Sequence, residues 1–249
     1  MPYALCPLLL YALCSLLYAF SHYISNMIKH TLLLVSLFAS LSLAAQRMEI
    51  SGGVNFNTYY DNGGSGGHYS SEYTSHTGYA IRLGVDEVMS RSWEFRFTLG
   101  YERYGGGLSA GDGGNGGGYY TKAEVEKSLL SFGFYPVNFK LDDNLDISIG
   151  IEGSRLLNEA VEGTYTNWTF GGPDKVTDLQ DKYDRYSAPY CVGLQGRIGY
   201  EFRLSDRMML VPQLTYYYGL SPEFEQSPET AKSSRLFLGI GLTWDLTPA

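Results

Sequence analysis

Cysteine is nearly missing from the body of this chain. Of three cysteines in 249 residues, Cys6 and Cys14 sit in an apolar N-terminal stretch, and only Cys191 follows. No internal disulfide and no cysteine-based metal site can form beyond residue 46, and a lone Cys amid strands reads as a small filler residue. Charge is scarce too, at 18% of residues, against about 25% in an ordinary soluble domain. Residues 1–46 hold one base, Lys29, and no acid, leaving 17 basic and 26 acidic groups beyond them, a net of −9. Without a basic stripe to neutralise phosphate, nucleic acid is excluded as a partner. Histidine is rare, with only His68 and His76 after residue 46.

What the chain has in quantity is glycine and tyrosine, 30 and 22 residues against nine prolines. That mixture suits many strands joined by Gly-rich turns and suits helices poorly.

The N-terminus reads as an address. From Met27 a short basic region (Lys29, His30) precedes an apolar run, Leu32 to Leu43, and then Ala44 and Ala45. This order predicts a secretory signal peptide over 27–45, cut near Ala45–Gln46. The run is too short to cross a bilayer as a helix. Residues 1–26 are apolar and carry no Lys or Arg. They read either as a transmembrane helix ahead of the barrel or as an extension preceding a true start of translation at Met27, the second being favoured because a full signal begins at Met27. No lipobox-like Cys follows the cut.

Beyond residue 46, apolar and polar residues alternate with period two, the mark of strands with one greasy and one polar face. The first segment sets Met48, Ile50, Val54 and Phe56 against Glu49, Ser51, Asn55 and Asn57. The second sets Ile81 and Leu83 against Arg82 and Asp86, and the third sets Phe95 and Phe97 against Glu94, Arg96 and Glu102. A fifth opposes Ile147 and Ile149 to Asp146 and Glu152. The sixth opposes Leu194 and Ile198 to Arg197, Glu201 and Arg203. The seventh carries Leu214, and the eighth opposes Leu238 and Ile240 to Arg235 and Asp245. In the fourth, Ala123 and Val125 differ in parity from Leu130, Phe132 and Phe134, which predicts a one-residue bulge near Lys127–Leu129. Brief links near Met89–Arg91, Pro136–Asn144 and Ser205–Asp206 alternate with long loops at Asp61–Thr77, Gly105–Tyr119, Asn158–Tyr186 and Ser221–Ser233.

Tight turns at one end and long loops at the other are the layout of an all-β, eight-stranded antiparallel up-and-down transmembrane barrel over residues 46–249. The bulk of the apolar set fixes the orientation: eight strands of Phe, Leu, Ile and Tyr would overfill so narrow an interior, whereas lipid sets no limit on size. Ile81, Leu83, Phe95, Phe97, Ile147, Ile149, Leu194, Ile198, Leu214, Leu238 and Ile240 are therefore expected to face lipid. The lumen is expected to hold an ion-pair network of Glu49, Arg82, Asp86, Glu94, Arg96, Glu102, Asp146, Glu152, Arg197, Glu201, Arg203, Arg235 and Asp245, because unpaired charge in a confined space is expensive. The functional alternative for these residues is the selectivity lining of a pore.

The pattern resembles the outer-membrane β-barrel family of Bacteroidetes related to PorT, among small OmpX-like eight-stranded barrels. The resemblance rests on Ala44-Ala45-Gln46 and on Ala123–Leu157, AEVEKSLLSFGFYPVNFKLDDNLDISIGIEGSRLL, where a strand, a Pro-containing turn and a Gly-punctuated strand follow in order. It covers about residues 46–246 and implies a link to type IX secretion and gliding, with no catalytic residue to carry over. The chain ends Trp244-Asp245-Leu246-Thr247-Pro248-Ala249 rather than on the aromatic residue usual in such barrels.

Catalytic chemistry is sparse. A lipid-modifying barrel enzyme would need a fixed general base, and His68 and His76 fall in a Gly- and Ser-rich loop. The glycines of 105–118 lack the Gly-Lys-Ser/Thr ending of a phosphate loop and read as a mobile loop. Asp174, Asp178, Asp181 and Asp184 match no defined Ca²⁺ spacing. The expectation is a monomeric, non-enzymatic barrel exported to the bacterial outer membrane, with no cofactor or metal. Its partners are outer-membrane lipid and envelope or secretion-machinery proteins met through its loops. A barrel enzyme acting on lipids and a soluble lipocalin-like carrier are the alternatives.

Overall fold

In the computed structural model the described residues are 47–60, 69–90, 93–114, 116–142, 144–182, 185–225 and 231–246. The extension, the signal peptide and His68 lie outside them. Ten strands follow in order: β1 Arg47–Tyr60, β2 Tyr69–Ser90, β3 Trp93–Gly114, β4 Gly117–Lys140, β5 Leu145–Thr169, β6 Lys175–Asp178, β7 Tyr190–Tyr200, β8 Phe202–Arg203, β9 Met208–Gly219 and β10 Lys232–Asp245, with the one-turn helix α1 Leu179–Lys182 after β6. Each long strand pairs antiparallel with its neighbours, and β10 returns to β1 over their full length, from Arg47↔Asp245 to Tyr60↔Lys232. β8 prolongs β7 along β9, and β6 is a short addition to β5. The result is a closed ring of eight strands with no open edge around the barrel.

Alternation puts two different surfaces on the two faces of every strand. On β1, Ile50, Val54 and Phe56 are exposed while Glu49, Ser51, Asn55 and Asn57 are buried. On β7, Tyr190, Val192, Leu194 and Ile198 are exposed while Cys191, Gln195 and Arg197 are buried. Greasy residues out and polar residues in is the inverse of a soluble barrel, and it is stable only with acyl chains outside. Among the described residues no helix is long and apolar enough to cross a membrane; the crossing elements here are strands.

The fourth segment departs from expectation. From Thr121 to Tyr135 every second residue of β4 is buried without interruption, and the β3–β4 register never slips. Ala123 and Val125 are therefore inward-facing, as are Lys127 and Leu129. The irregularities lie elsewhere. Leu157 of β5 is an extra residue opposite Ser128–Leu129, and β4 bulges at Tyr135–Pro136 opposite Gly150. Proline cannot donate to the ladder, so a bulge is where a strand tolerates it. A Cβ on Gly150 would come within 2.1 Å of the Phe134 carbonyl oxygen, so the crowded side of this bulge requires glycine.

Three predicted loops are also partly strand: within Asp61–Thr77, β2 already begins at Tyr69 and pairs with β3 from Tyr69↔Asp112. β3 and β4 run on to a tight turn between Gly114 and Gly117, and β5 continues to Thr169. Gly105–Tyr119 is thus a paired hairpin rather than a mobile loop; its glycines carry no hydropathy and so leave no alternation to read. β2 to β5 run 22–25 residues, whereas β1, β7, β9 and β10 run 11–14. A tilted strand crosses a bilayer in about 9–11 residues. The short strands match that thickness, and the long four rise past it as a wall at the long-loop end.

Candidate functional site: the lumen and its cap

Inside the ring, charged side chains from strands far apart in sequence meet in two layers. In the layer nearer the short turns, Glu49 of β1 accepts from Arg96 Nη2 of β3 at 2.8 Å, Arg197 Nη2 of β7 at 3.0 Å and Gln213 Nε2 of β9 at 2.9 Å. Arg96 also donates through Nε to Asp86 at 2.6 Å, and Arg197 donates to Asp146. In the layer above, Glu102 accepts from Arg82 and Arg235, each at 2.5 Å, and Glu152 accepts from Arg235 at 2.8 Å and Gln195 at 2.7 Å. All four carboxylates and arginines of this upper layer are buried. Rings fill the space between: the guanidinium carbon of Arg235 lies 3.8 Å from the Tyr217 ring centroid, and that of Arg82 lies 4.6 Å from Phe237. Cation–π contact keeps the guanidinium faces in favourable company where water is excluded.

The remaining predicted network residues lie at the short-turn rim. Asp245 and Glu201 pair with Arg47 at 2.8 and 3.3 Å, and Lys140 reaches Glu201 at 3.4 Å and Glu94 at 3.9 Å. Arg203 departs from expectation: it is exposed on β8, where Phe202↔Leu210 and Arg203↔Met209 are the pairings. β5 begins at Leu145, opposite Tyr200, so the chain at 203 has already left the ring and has no lumen to face. The eleven expected lipid-facing residues are all on the outside. Ile81, Leu83, Ile149, Leu194, Ile198, Leu214, Leu238 and Ile240 are exposed, and Ile147, Phe95 and Phe97 are half-buried. The two phenylalanines are covered by outward neighbours, Phe134 stacking on Phe97 at 4.9 Å.

Above the arginine layers the inward face turns apolar, which the alternation does not predict. Tyr59, Leu108, Ala110, Ala123, Val125, Leu179, Tyr186, Phe224 and Ala231 form a buried cluster. Two loops cross over it. Tyr186 and Ser187 donate their amides to the Glu159 carboxylate at 2.8 and 2.9 Å. Ala188 N–H reaches Glu223 O, Glu225 N–H reaches Tyr186 O, and Ser187 bridges to Phe224. Beneath this cap, Lys127 Nζ lies 2.8 Å from Glu223 Oε2 and 4.7 Å from the Phe224 ring centroid, and Ser233 also donates to Glu223. Burial would raise the Glu223 carboxyl, but Lys127 and Arg235 outweigh it and hold it below the usual carboxylate range. Lys127 is legible once β4 is read with unbroken parity. Glu223 stands in a loop and carries no periodic signal.

His76, the described one of the two histidines, is exposed on β2, its Nε2 3.4 Å from Glu124 Oε2, both side chains about half exposed. Asp174 and Asp178 are exposed, and the side chains of Asp181 and Asp184 lie outside the described residues.

A closed antiparallel ring with a greasy exterior, a charged interior and tight turns at one end defines an outer-membrane β-barrel. The chain belongs to the family described as outer membrane protein beta-barrel domain, which matches residues 42–225, and its place is the bacterial outer membrane. Among solved structures it is similar to Neisserial surface protein A (12% identity, 80% of this chain, 97% of that chain, TM-score 0.36). It is also similar to Ail, the attachment invasion locus protein of Yersinia pestis (10%, 80%, 99%, TM-score 0.38), and to OprG from Pseudomonas aeruginosa (12%, 81%, 97%, TM-score 0.37). No curated protein matches the chain.

Proposed function

We infer that this protein is a non-enzymatic monomeric barrel with a side-chain-filled lumen that acts through its extracellular surface, in envelope structure, adhesion or docking of partner proteins. One observation carries the reading: the interior is crossed by paired charge layers, while β2–β5 extend well past the membrane-spanning length. Eight strands enclose a space that side chains can fill. Selection for a conduit would not place Glu49 in contact with β3, β7 and β9 at once. Long loops and extended strands on a rigid scaffold are where binding residues concentrate. The PorT-like resemblance adds envelope or secretion machinery of Bacteroidetes as the partner class.

Planar-bilayer recording tests the filled lumen, since a large steady conductance contradicts it. Shortening the β3–β4 hairpin above Gly105–Glu126 while keeping the ring tests the surface role. Loss of adhesion, gliding or secretion with an intact barrel supports it, and an unchanged phenotype counts against it. The lipid-enzyme reading is tested by His76→Ala together with His68→Ala: loss of a lipid modification would favour catalysis.

A further inference from the structure

The outward face of the β3–β5 wall changes character at defined levels. On β4 the outward residues Phe134, Phe132 and Leu130 give way to Ser128, Glu126, Glu124 and Lys122, and then to Tyr120. On β3 Tyr101 is followed by Arg103, and on β5 Arg155 gives way to Asn158 and Ala160, then to Glu162, Thr164, Thr166 and Trp168. At the charged level β2 leaves register between Ser75 and Tyr79. There a cavity of about 500 Å³ opens, lined by Ser75, His76, Arg103 and Glu126 among others.

Above this level two aromatic rings lie against the sheet. A Cβ on Gly113 or Gly118 would fall within 2.8 or 3.1 Å of the Trp168 indole, and one on Gly111 within 3.1 Å of the Tyr120 ring. Glycine at these sites lets both rings lie close to the strands. The Tyr120 hydroxyl is held by Ser109 Oγ, and the ring remains 44% exposed. Thr166 and Thr164 stand opposite Tyr120 and Lys122 on β5, supplying hydroxyls at the platform's edge. Tyr120 is ten residues above Leu130, about 33 Å along the strand and about 23 Å above the apolar band at a tilt near 45°.

We propose that this face binds one glycolipid of the outer leaflet, with acyl chains on the Leu130–Phe134 band, the charged headgroup at the level of the Arg103 cavity, and the sugars stacked on Tyr120 and Trp168. The order apolar, charged, aromatic-with-hydroxyls repeats the chemical order of a lipopolysaccharide read from chain to saccharide. The face is continuous with the lipid-facing surface of the barrel, so its neighbour at each height is the matching part of an adjacent lipid. An exposed ring offers its apolar face to pyranose C–H groups while flanking hydroxyls exchange hydrogen bonds with the sugar. This inference goes beyond the docking role and does not depend on it.

The test titrates the full chain, refolded in detergent, with lipopolysaccharide bearing its oligosaccharide core, with lipid A lacking that core, and with the free core. Tyr120→Ala/Trp168→Ala should weaken lipopolysaccharide binding about tenfold, as loss of aromatic anchors does, and leave lipid A binding unchanged. Heat-modifiable migration reports that the variant barrel is folded. In a Trp93→Phe/Trp244→Phe background, with the platform intact, Trp168 emission should shift with lipopolysaccharide and stay unmoved with lipid A. Unchanged affinity in the double variant, or an unmoved Trp168, overturns the proposal. Free core binding as tightly as the whole glycolipid would identify a soluble glycan as the ligand and overturn the lipid-borne assignment.

Discussion

Lys127 of β4 and Glu223, 96 residues later in the loop between β9 and β10, meet at 2.8 Å under the cap that covers the barrel mouth. Both are buried, so the pair is held by charge, by the Ser233 hydroxyl and by the rings around the ammonium rather than by water. Neutralising one member leaves a buried charge alone, whereas neutralising both removes the problem with the interaction. Glu223→Gln and Lys127→Met should each cost about 3–5 kcal/mol, and the double variant clearly less than their sum. Urea unfolding from lipid vesicles, arranged as a double-mutant cycle, reads this coupling.

The same pair sets an acid sensitivity. Glu223 is held below its ordinary value, so it contributes stability that is present above the unfolded value of 4.5 and lost as pH falls through the folded one. Loosening of the cap should therefore begin below about pH 4.5 and be weaker in Glu223→Gln. Limited proteolysis of the cap segments 185–189 and 220–225 across an acid series checks the direction. An acid profile identical in the variant would mean that another carboxylate governs it.

The upper charge layer sets a second expectation. Arg235 touches both Glu102 and Glu152, and Arg82 shares Glu102. Replacing Arg235 by Met leaves two carboxylates beside a single guanidinium, at a cost of about 3–5 kcal/mol. Replacing Arg82, Glu102, Glu152 and Arg235 all by Ala removes the layer without stranding a charge and should thin the plug. Single-channel recording is expected to be silent for the parent protein and to show brief openings for the quadruple variant. A silent quadruple variant would place the seal in the Glu49 layer or the cap.

Most of this architecture is legible in the chain because lipid and a narrow lumen demand opposite chemistry from adjacent residues. Glu49 beside Ile50, or Arg197 beside Ile198, states the inside and outside of a strand without any neighbour. Legibility fails where that demand lapses. Past the apolar band the wall presents polar residues outside and a small apolar core inside, so Ala123 and Val125 point inward while Glu124 and Lys122 point out. The inner face has changed character while the strand has not slipped. Six of the ten residues of Gly105–Gly114 are glycine, so Leu108 and Ala110 stand too isolated to show a period, and a strand reads as a loop. Arg203 obeys the period but sits past the end of the ring, a boundary that no local pattern records. Glu223 reaches Lys127 only because a loop folds back over the mouth.

Gly150 offers a steric test of the β4 bulge at Pro136. A methyl there would meet the Phe134 carbonyl at 2.1 Å, backbone that cannot swing aside as a side chain would. Gly150→Ala should cost about 1–3 kcal/mol, as overpacking does. Gly153, whose added Cβ would meet nothing within 4 Å, should accept Ala with little change. Comparing the two unfolding midpoints separates steric demand from any general cost of altering a β5 glycine.

Medium, rather than exposure, should govern substitutions on the outer surface. Ile149 of β5 and Val176 of β6 are about equally exposed, at 54% and 60%. Ile149 lies in the apolar band, flanked by Ile147 and Ile151, whereas β6 pairs with Thr164–Asn167 near the top of the wall. Arginine at 149 must be placed against acyl chains, which costs about 2–4 kcal/mol near the midplane; arginine at 176 meets water and should cost about 0–1 kcal/mol. Unfolding of Ile149→Arg and Val176→Arg from vesicles of one lipid composition gives the comparison. Repeating the unfolding in detergent micelles, which deform around a charge more readily than a bilayer, should narrow the gap. Equal losses at the two sites would mean that the band around Ile149 does not contact lipid, and the inside-out reading of the barrel would fall with it.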